Sequence, residues 1–213
     1  SRGLGDVYKR QVLELGAKIA LPSGYLNIAI FDQEIEDFQT NTFVGTGFVL
    51  ANAGSQSADG YEFDLVISPT ENIDLAVSGL FIDPIYDSYV GAAPGDLSGT
   101  VPSNTPEDTI SSTVTWNYNF KGWDSFLRIS HLYSSEAKLL ENPAHQALIE
   151  AKGNGYREQD TLNLTAGFEK DNISIKIWGK NINDDKFLTS AFIGVADLSE
   201  TTFYGYPNNF KSY

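Results

Sequence analysis

From residue 12 onward the chain alternates apolar and polar positions with period two. Segment 12–21 places Leu13, Leu15, Ala17, Ile19 and Leu21 in one phase, with Glu14, Gly16 and Lys18 in the other. Successive side chains of a strand point to opposite faces, so this pattern predicts a strand with one greasy and one polar face. The same reading holds for 60–68, where Tyr61, Phe63, Leu65 and Ile67 oppose Glu62 and Asp64, and for 72–82, where Ile73, Leu75, Val77 and Phe81 oppose Asp74, Ala76 and Ser78. It holds again for 109–120, with Val114, Trp116, Tyr118 and Phe120 against Thr113, Thr115, Asn117 and Asn119. Segments 125–134 (Leu127, Ile129 and Tyr133 against Arg128 and Ser130), 159–169 (Leu162, Leu164, Ala166 and Phe168 against Thr161, Asn163 and Thr165) and 172–182 (Ile173, Ile175 and Ile177 against Ser174, Lys176 and Lys180) complete the series.

Segment 24–37 breaks phase. Leu26, Ile28 and Ile30 lead on to Asp32, Glu34 and Glu36, while the other phase holds Tyr25, Phe31 and Ile35. Two readings stay open: a β-bulge near residue 30, or an acidic end that projects beyond the apolar zone.

The connections carry a second signal. Pro22-Ser23, residues 69–71, Lys121-Gly122 and Lys170-Asp171 are tight, whereas 38–57, 83–108, 135–158 and 183–202 are long, and the two kinds alternate strictly. A short helix over 144–151, after Pro143, is predicted inside one long connection. Compact soluble domains seldom carry several structureless connections of this length. An up-and-down barrel of an outer membrane has short turns at one rim and long loops at the other. Aromatics of the apolar phase cluster at segment ends: Tyr118, Phe120 and Phe168 beside the short turns, Tyr61, Phe81 and Tyr133 beside the long loops. Such rows are expected at the two headgroup levels of a membrane. The predicted fold class is therefore all-β, an antiparallel up-and-down meander. In it Tyr61, Phe81, Trp116, Tyr118, Phe120, Tyr133 and Phe168 face lipid, while Glu62, Asp64, Arg128 and Lys176 face a lumen.

Composition narrows the chemistry. A formal charge of −14 argues against nucleic acid as a partner, because phosphate binding needs clustered Lys and Arg. The absence of cysteine removes disulfides, thiolate metal sites and a Cys nucleophile, and two histidines, His131 and His145, leave little for a zinc site. No apolar run reaches the length of a transmembrane helix, but a barrel strand needs only about 9–11 residues. Residues 1–11 (SRGLGDVYKRQ) are basic and without period, so they are set apart as a non-native or disordered tail.

Particular residues then resemble a known family. Asn52-Ala53-Gly54 followed by Gly60-Tyr61-Glu62-Phe63-Asp64-Leu65 is similar to a strand of TonB-dependent outer-membrane receptors, and residues 69–75 (PTENIDL) to the turn and strand after it. Residues 178–184 (WGKNIND) resemble the penultimate strand of that family, and Tyr204-Gly205-Tyr206-Pro207 the approach to its last strand. Asn208 stands where the family usually has Arg. The resemblance covers about residues 12–213.

It implies that 12–213 is the C-terminal portion of a 22-stranded transmembrane barrel, about eight strands plus the start of the last. The plug domain and the TonB-contacting segment would lie outside this sequence. It further implies a Gram-negative outer membrane, uptake of a scarce ligand (a ferric siderophore, cobalamin, haem or an oligosaccharide) driven through TonB, no catalysis and no cofactor. Expected partners are outer-membrane lipid, TonB, the plug and the ligand. A passive outer-membrane channel and a soluble carbohydrate-binding β-sandwich are the alternatives.

Tyr86 and Tyr89, in a long loop, are the candidates for stacking on a ligand, against a simpler role in packing that loop. Arg128 and Lys176 would pair with plug carboxylates, with Glu62 and Asp64, or within the barrel wall. Asp32, Glu34, Glu36 and Asp37 offer oxygen ligands to a divalent ion, although a solvated loop edge explains them as well.

Overall fold

The structure is a computed structural model that describes residues 7–44, 47–92, 94–194 and 202–213. Eight strands, β1 (Lys9–Leu21), β2 (Gly24–Val44), β3 (Gly47–Thr70), β4 (Ile73–Ser88), β5 (Asp108–Phe120), β6 (Trp123–Lys138), β7 (Tyr156–Lys170) and β8 (Ile173–Gly179), form one antiparallel sheet. Each strand pairs with its sequence neighbours, in the order β1 to β8. One helix, α1 (Pro143–Glu150), joins β6 to β7, and a separate hairpin, β9 (Leu188–Ile193) with β10 (Phe203–Pro207), follows β8. Among the described residues no helix is long and apolar enough to cross a membrane, which says nothing of a β-barrel.

The tight turns fall at 22–23, 71–72, 121–122 and 171–172, two of them one residue later than the pattern predicts. Lys121 and Gly122 both have positive φ, 53° and 79°. That is the mirror-image turn whose twist matches the flanking strands of a two-residue hairpin. Gly79 serves a different purpose. It lies opposite Phe63, and a Cβ there would come within 2.4 Å of the Phe63 ring, so its bareness makes room for that side chain.

Several expectations change; among them, the connection expected over 183–202 holds β9, and the one expected over 83–108 begins only after Ser88 of β4. Three others concern β1 to β3. First, the register of β1 against β2 runs unbroken from Leu21↔Gly24 to Lys9↔Glu36, and the irregularity comes only at Asp37, with φ 55°. The bulge is therefore not near residue 30, and Asp32, Glu34 and Glu36 extend the apolar row as an acidic end. Second, β1 begins at Lys9, inside the segment set apart as a tail; Lys9 pairs with Glu36 at 3.2 Å. Third, 38–57 is not a loop: β2 and β3 stay paired out to Val44↔Gly47. Backbone pairing needs no apolar contrast between faces, so a hairpin rich in Ser, Thr and Asn leaves no alternation to read. A 21-residue strand spans roughly 70 Å, far more than a bilayer requires, so β2 and β3 extend well past the apolar band.

Helix α1 lies one residue earlier than the 144–151 the sequence predicts, with Pro143 inside it. The Asn142 side chain caps it, accepting from the backbone N–H groups of Ala144 at 2.9 Å and His145 at 3.3 Å, and Pro143 occupies the first turn. Both features favour helix initiation.

Candidate functional site

Residues paired across strands share a face, so the register decides whether the apolar phases of the strands join. They do. Ile28 faces Ala17 and Phe63, Leu65 faces Val77, Leu75 faces Val114, Val114 faces Ile129, Ile129 faces Leu164, and Ala166 faces Ile177. One apolar surface thus crosses all eight strands.

It is not covered. Leu15 is 72% exposed, Ile30 55%, Trp116 49% and Ile177 63%. Among the described residues the wall strands contribute Ala29, Tyr86 and Ala137 to the buried apolar set: Ala29 lies on the other face, Tyr86 and Ala137 lie at the loop ends of β4 and β6, and the most buried members, Leu97 and Ile149, lie in the connections. Leaving one Leu, Ile, Val or Phe in water forfeits about 1.5–3 kcal/mol of burial. A dozen such residues would forfeit tens of kcal/mol, more than the net stability of about 5–15 kcal/mol typical of a domain. A sealed core between two sheets is absent from the described residues. The greasy face has the character of a surface for hydrocarbon.

Aromatics border that surface at both ends. Toward the loops, Tyr61 and Phe81 lie directly opposite each other, and Tyr133 faces Ile110. Toward the turns, Trp116 stacks on Tyr118 at 4.6 Å, Phe120 faces Trp123, and Phe168 faces Ser125. All seven predicted girdle residues share the one face. From Phe81 to Ile73, the partner of Trp116, is a rise of roughly 27 Å along the strand. At the usual barrel tilt this is about 20 Å along the axis, close to the apolar band of about 25 Å in outer-membrane barrels. Beyond the loop-side row the same face turns charged: Asp32, Asp59 and Asp83 stand in one cross-strand line, and Asp108 faces Phe81. There His131 meets Asp160 at 2.5 Å.

The opposite face is polar and holds two grooves along the strands. The larger, about 740 Å³, is lined by Glu14, Lys18, Asn27, Glu62, Asp64, Ser78 and Ser111 among others. Asn27 donates to Asp64 at 3.4 Å across its floor. The second, about 450 Å³, is lined by Asn117, Asn119, Asp124, Glu169 and Lys176 among others. Glu62, Asp64, Arg128 and Lys176 therefore lie together on the grooved face, but not in contact. Arg128 donates to the Thr115 hydroxyl at 3.1 Å and lies over the Phe126 ring, two strands or more from Glu62 and Asp64. Its interactions are those of a wall residue.

Tyr86 and Tyr89 are buried, each 7% exposed, in a small cluster with Leu97 and Ala92 against Phe38 and Ala53. Phe38 stacks on Tyr86 and meets Tyr89 edge-on. The Tyr86 hydroxyl donates to Glu141 at 3.0 Å, and burial together with Glu141 pushes its pKa upward. Their rings pack the loop end of the wall and leave little face for a ligand. Glu141 joins three segments, since it also accepts from the backbone N–H of Ser103 and pairs with Lys138. Nothing in its local sequence marks it. No group of acidic or histidine side chains suited to a metal occurs among the described residues.

The comparisons agree with this geometry. Among curated proteins, none matches the sequence significantly. Several solved structures share the fold. The ferric yersiniabactin uptake receptor FyuA from Yersinia pestis aligns with a TM-score of 0.74 at 16% identity, over 96% of this chain and 28% of that one. The ferric-catecholate import receptor Fiu from E. coli K12, in its closed form, aligns at 0.66 and 14%, over 97% and 27%. The ferric preacinetobactin receptor BauA from Acinetobacter baumannii aligns at 0.63 and 13%, over 84% and 26%. The chain thus spans about a quarter of the length of these structures. A family profile described as "TonB dependent receptor-like, beta-barrel" matches residues 11–182, and with the one-sided apolar wall this places the chain in the TonB-dependent receptor β-barrel family.

Proposed function

We propose that this chain forms the C-terminal part of the wall of an active transporter in a Gram-negative outer membrane. The carrying observation is the unbroken apolar surface on one face of eight strands, bounded by aromatic rows, with charged and amide side chains on the other face. A closed barrel leaves no strand edge in lipid, and that is the condition under which such a wall spans a bilayer.

Within this reading the grooved face is the lumen, where Glu62, Asp64, Arg128 and Lys176 meet water and a plug. Tyr86 and Tyr89 brace the loops. Energy comes from the inner membrane through TonB, and the ligand is a ferric siderophore, in line with the ferric ligands for which the three receptors compared above are named. The experiment is uptake of radiolabelled ferric siderophores by cells whose only siderophore receptor is the complete gene product. Accumulation that vanishes on deletion of tonB supports the reading. Accumulation of small solutes that persists without TonB indicates a passive channel instead.

A further inference from the structure

Past β8 the chain turns sharply at Asn181, whose φ of 51° is a left-handed conformation that Asn tolerates better than most residues. The residue is 4% exposed, and its buried amide is fully engaged. Its oxygen accepts from the Asp185 backbone N–H at 2.8 Å, and its nitrogen donates to the carbonyls of Asp185 at 2.8 Å and of Asn209 at 3.2 Å. Its own backbone N–H donates to the Asn163 side chain on β7 at 3.0 Å.

The bonds to Asp185 are what any tight turn needs. The bond to Asn209 is not, because it reaches 28 residues ahead. There, Lys180 and Ser212 exchange both backbone hydrogen bonds, at 2.8 and 3.1 Å, on the free edge of β8. Asn208 adds two more ties, donating to the Asp185 carbonyl at 2.9 Å and accepting from the Phe187 N–H at 3.2 Å.

We propose that Asn181 is a register latch: its amide holds segment 208–212 against the end of β8 so that only one alignment is possible. The physical need is clear. A slip of one residue between neighbouring strands moves every side chain to the opposite face, which in this wall exchanges lipid for water. One amide bonded to both Asp185 and Asn209 lets no such slip pass without losing a buried partner. The proposal concerns assembly of the wall and stands whatever ligand is carried.

The test is a crosslink in the complete receptor in outer membranes. The sequence has no cysteine, so Lys180→Cys with Ser212→Cys forms the only disulfide this chain can supply, at a pair whose separation suits one. With Asn181 intact, the crosslink is expected to form readily. Asn181→Gly, which keeps the backbone free to adopt its turn, is expected to lower the yield about tenfold, the factor that one buried hydrogen bond supplies. The crosslink of Lys180→Cys to Lys211→Cys, diagnostic of a slip, is expected to rise. An unchanged yield in Asn181→Gly overturns the latch. Should Asn181 variants fail to reach the membrane, Asn208→Ala decides: a smaller fall supports the proposal, and no fall overturns it.

Discussion

Tyr61 on β3 and Phe81 on β4 face each other across the sheet with ring centroids 4.6 Å apart and planes within 14°. They stand where the apolar surface ends and the line of Asp32, Asp59 and Asp83 begins. Tyr61 suits this level because its ring favours hydrocarbon and its hydroxyl the headgroups, and Phe81 stacks on that ring. Replacing either with Ala is expected to cost about 1 kcal/mol beyond the lost area, with a double-mutant coupling of similar size. Urea unfolding of the receptor folded into vesicles measures it. Strictly additive single effects would contradict the pairing.

Val114 and Ser111 belong to the same strand but to opposite faces. Val114 lies mid-band, opposite Leu75 and Ile129, while Ser111 lines the larger groove. Val114→Arg is expected to destabilise the folded receptor by about 2–4 kcal/mol, as a charge at the midplane does. Ser111→Arg is expected to stay within about 1 kcal/mol of native. Equal penalties at the two positions would mean that both faces meet the same medium.

The loop cluster has a pH signature. Burial first, then the Glu141 charge and hydrogen bond, raise the Tyr86 phenol above its ordinary value of 10.0. A folded pKa above the unfolded one means that the stability from the neutral phenol is whole below about pH 10 and is lost as pH rises through the folded value. The Tyr86 signal in NMR of ring-labelled tyrosine is therefore expected to titrate after those of the exposed tyrosines. Tyr86→Phe should remove it and loosen the cluster by about 1–2 kcal/mol. Ionisation at an ordinary value would show that the ring is not packed as described.

Helix α1 depends on a single cap. Asn142→Ala removes the acceptor for two backbone N–H groups and is expected to cost about 1 kcal/mol. Hydrogen exchange at Ala144 and His145 should speed up while exchange in β6 and β7 stays as it was. A global change in exchange would place α1 inside the wall's cooperative unit.

The wall was legible in the sequence because Leu13 to Leu21, Val114 to Phe120 and Leu162 to Phe168 each hold the alternation of a strand with two unlike faces. The hairpin over 38–57 was not, since its sequence holds no apolar and polar alternation and backbone pairing alone does not require one. The phase change after Ile30 is ambiguous in one dimension. Only the pairing of Glu36 with Lys9 shows that the strand runs straight on and that Asp37 carries the irregularity. Tyr86 and Tyr89 present the same difficulty: the sequence reads both as loop residues, whereas Tyr86 lies in β4 and Tyr89 just past its end, and only the fold brings Phe38 near enough for them to pack on it. The ties of Asn181 to Asn209 and of Glu141 to Ser103 are non-local, so no spacing announces them.

The three tryptophans offer the most direct test of the two-faced wall. By register Trp116 and Trp123 lie on the apolar face, and Trp178, opposite Thr165, lies on the grooved one. Single-tryptophan receptors folded into vesicles of bromine-labelled lipid report which rings touch acyl chains. Fluorescence of Trp116 and Trp123 is expected to be quenched and that of Trp178 to be spared. Quenching of Trp178 with Trp116 spared would contradict the assignment of faces on which the transporter reading depends.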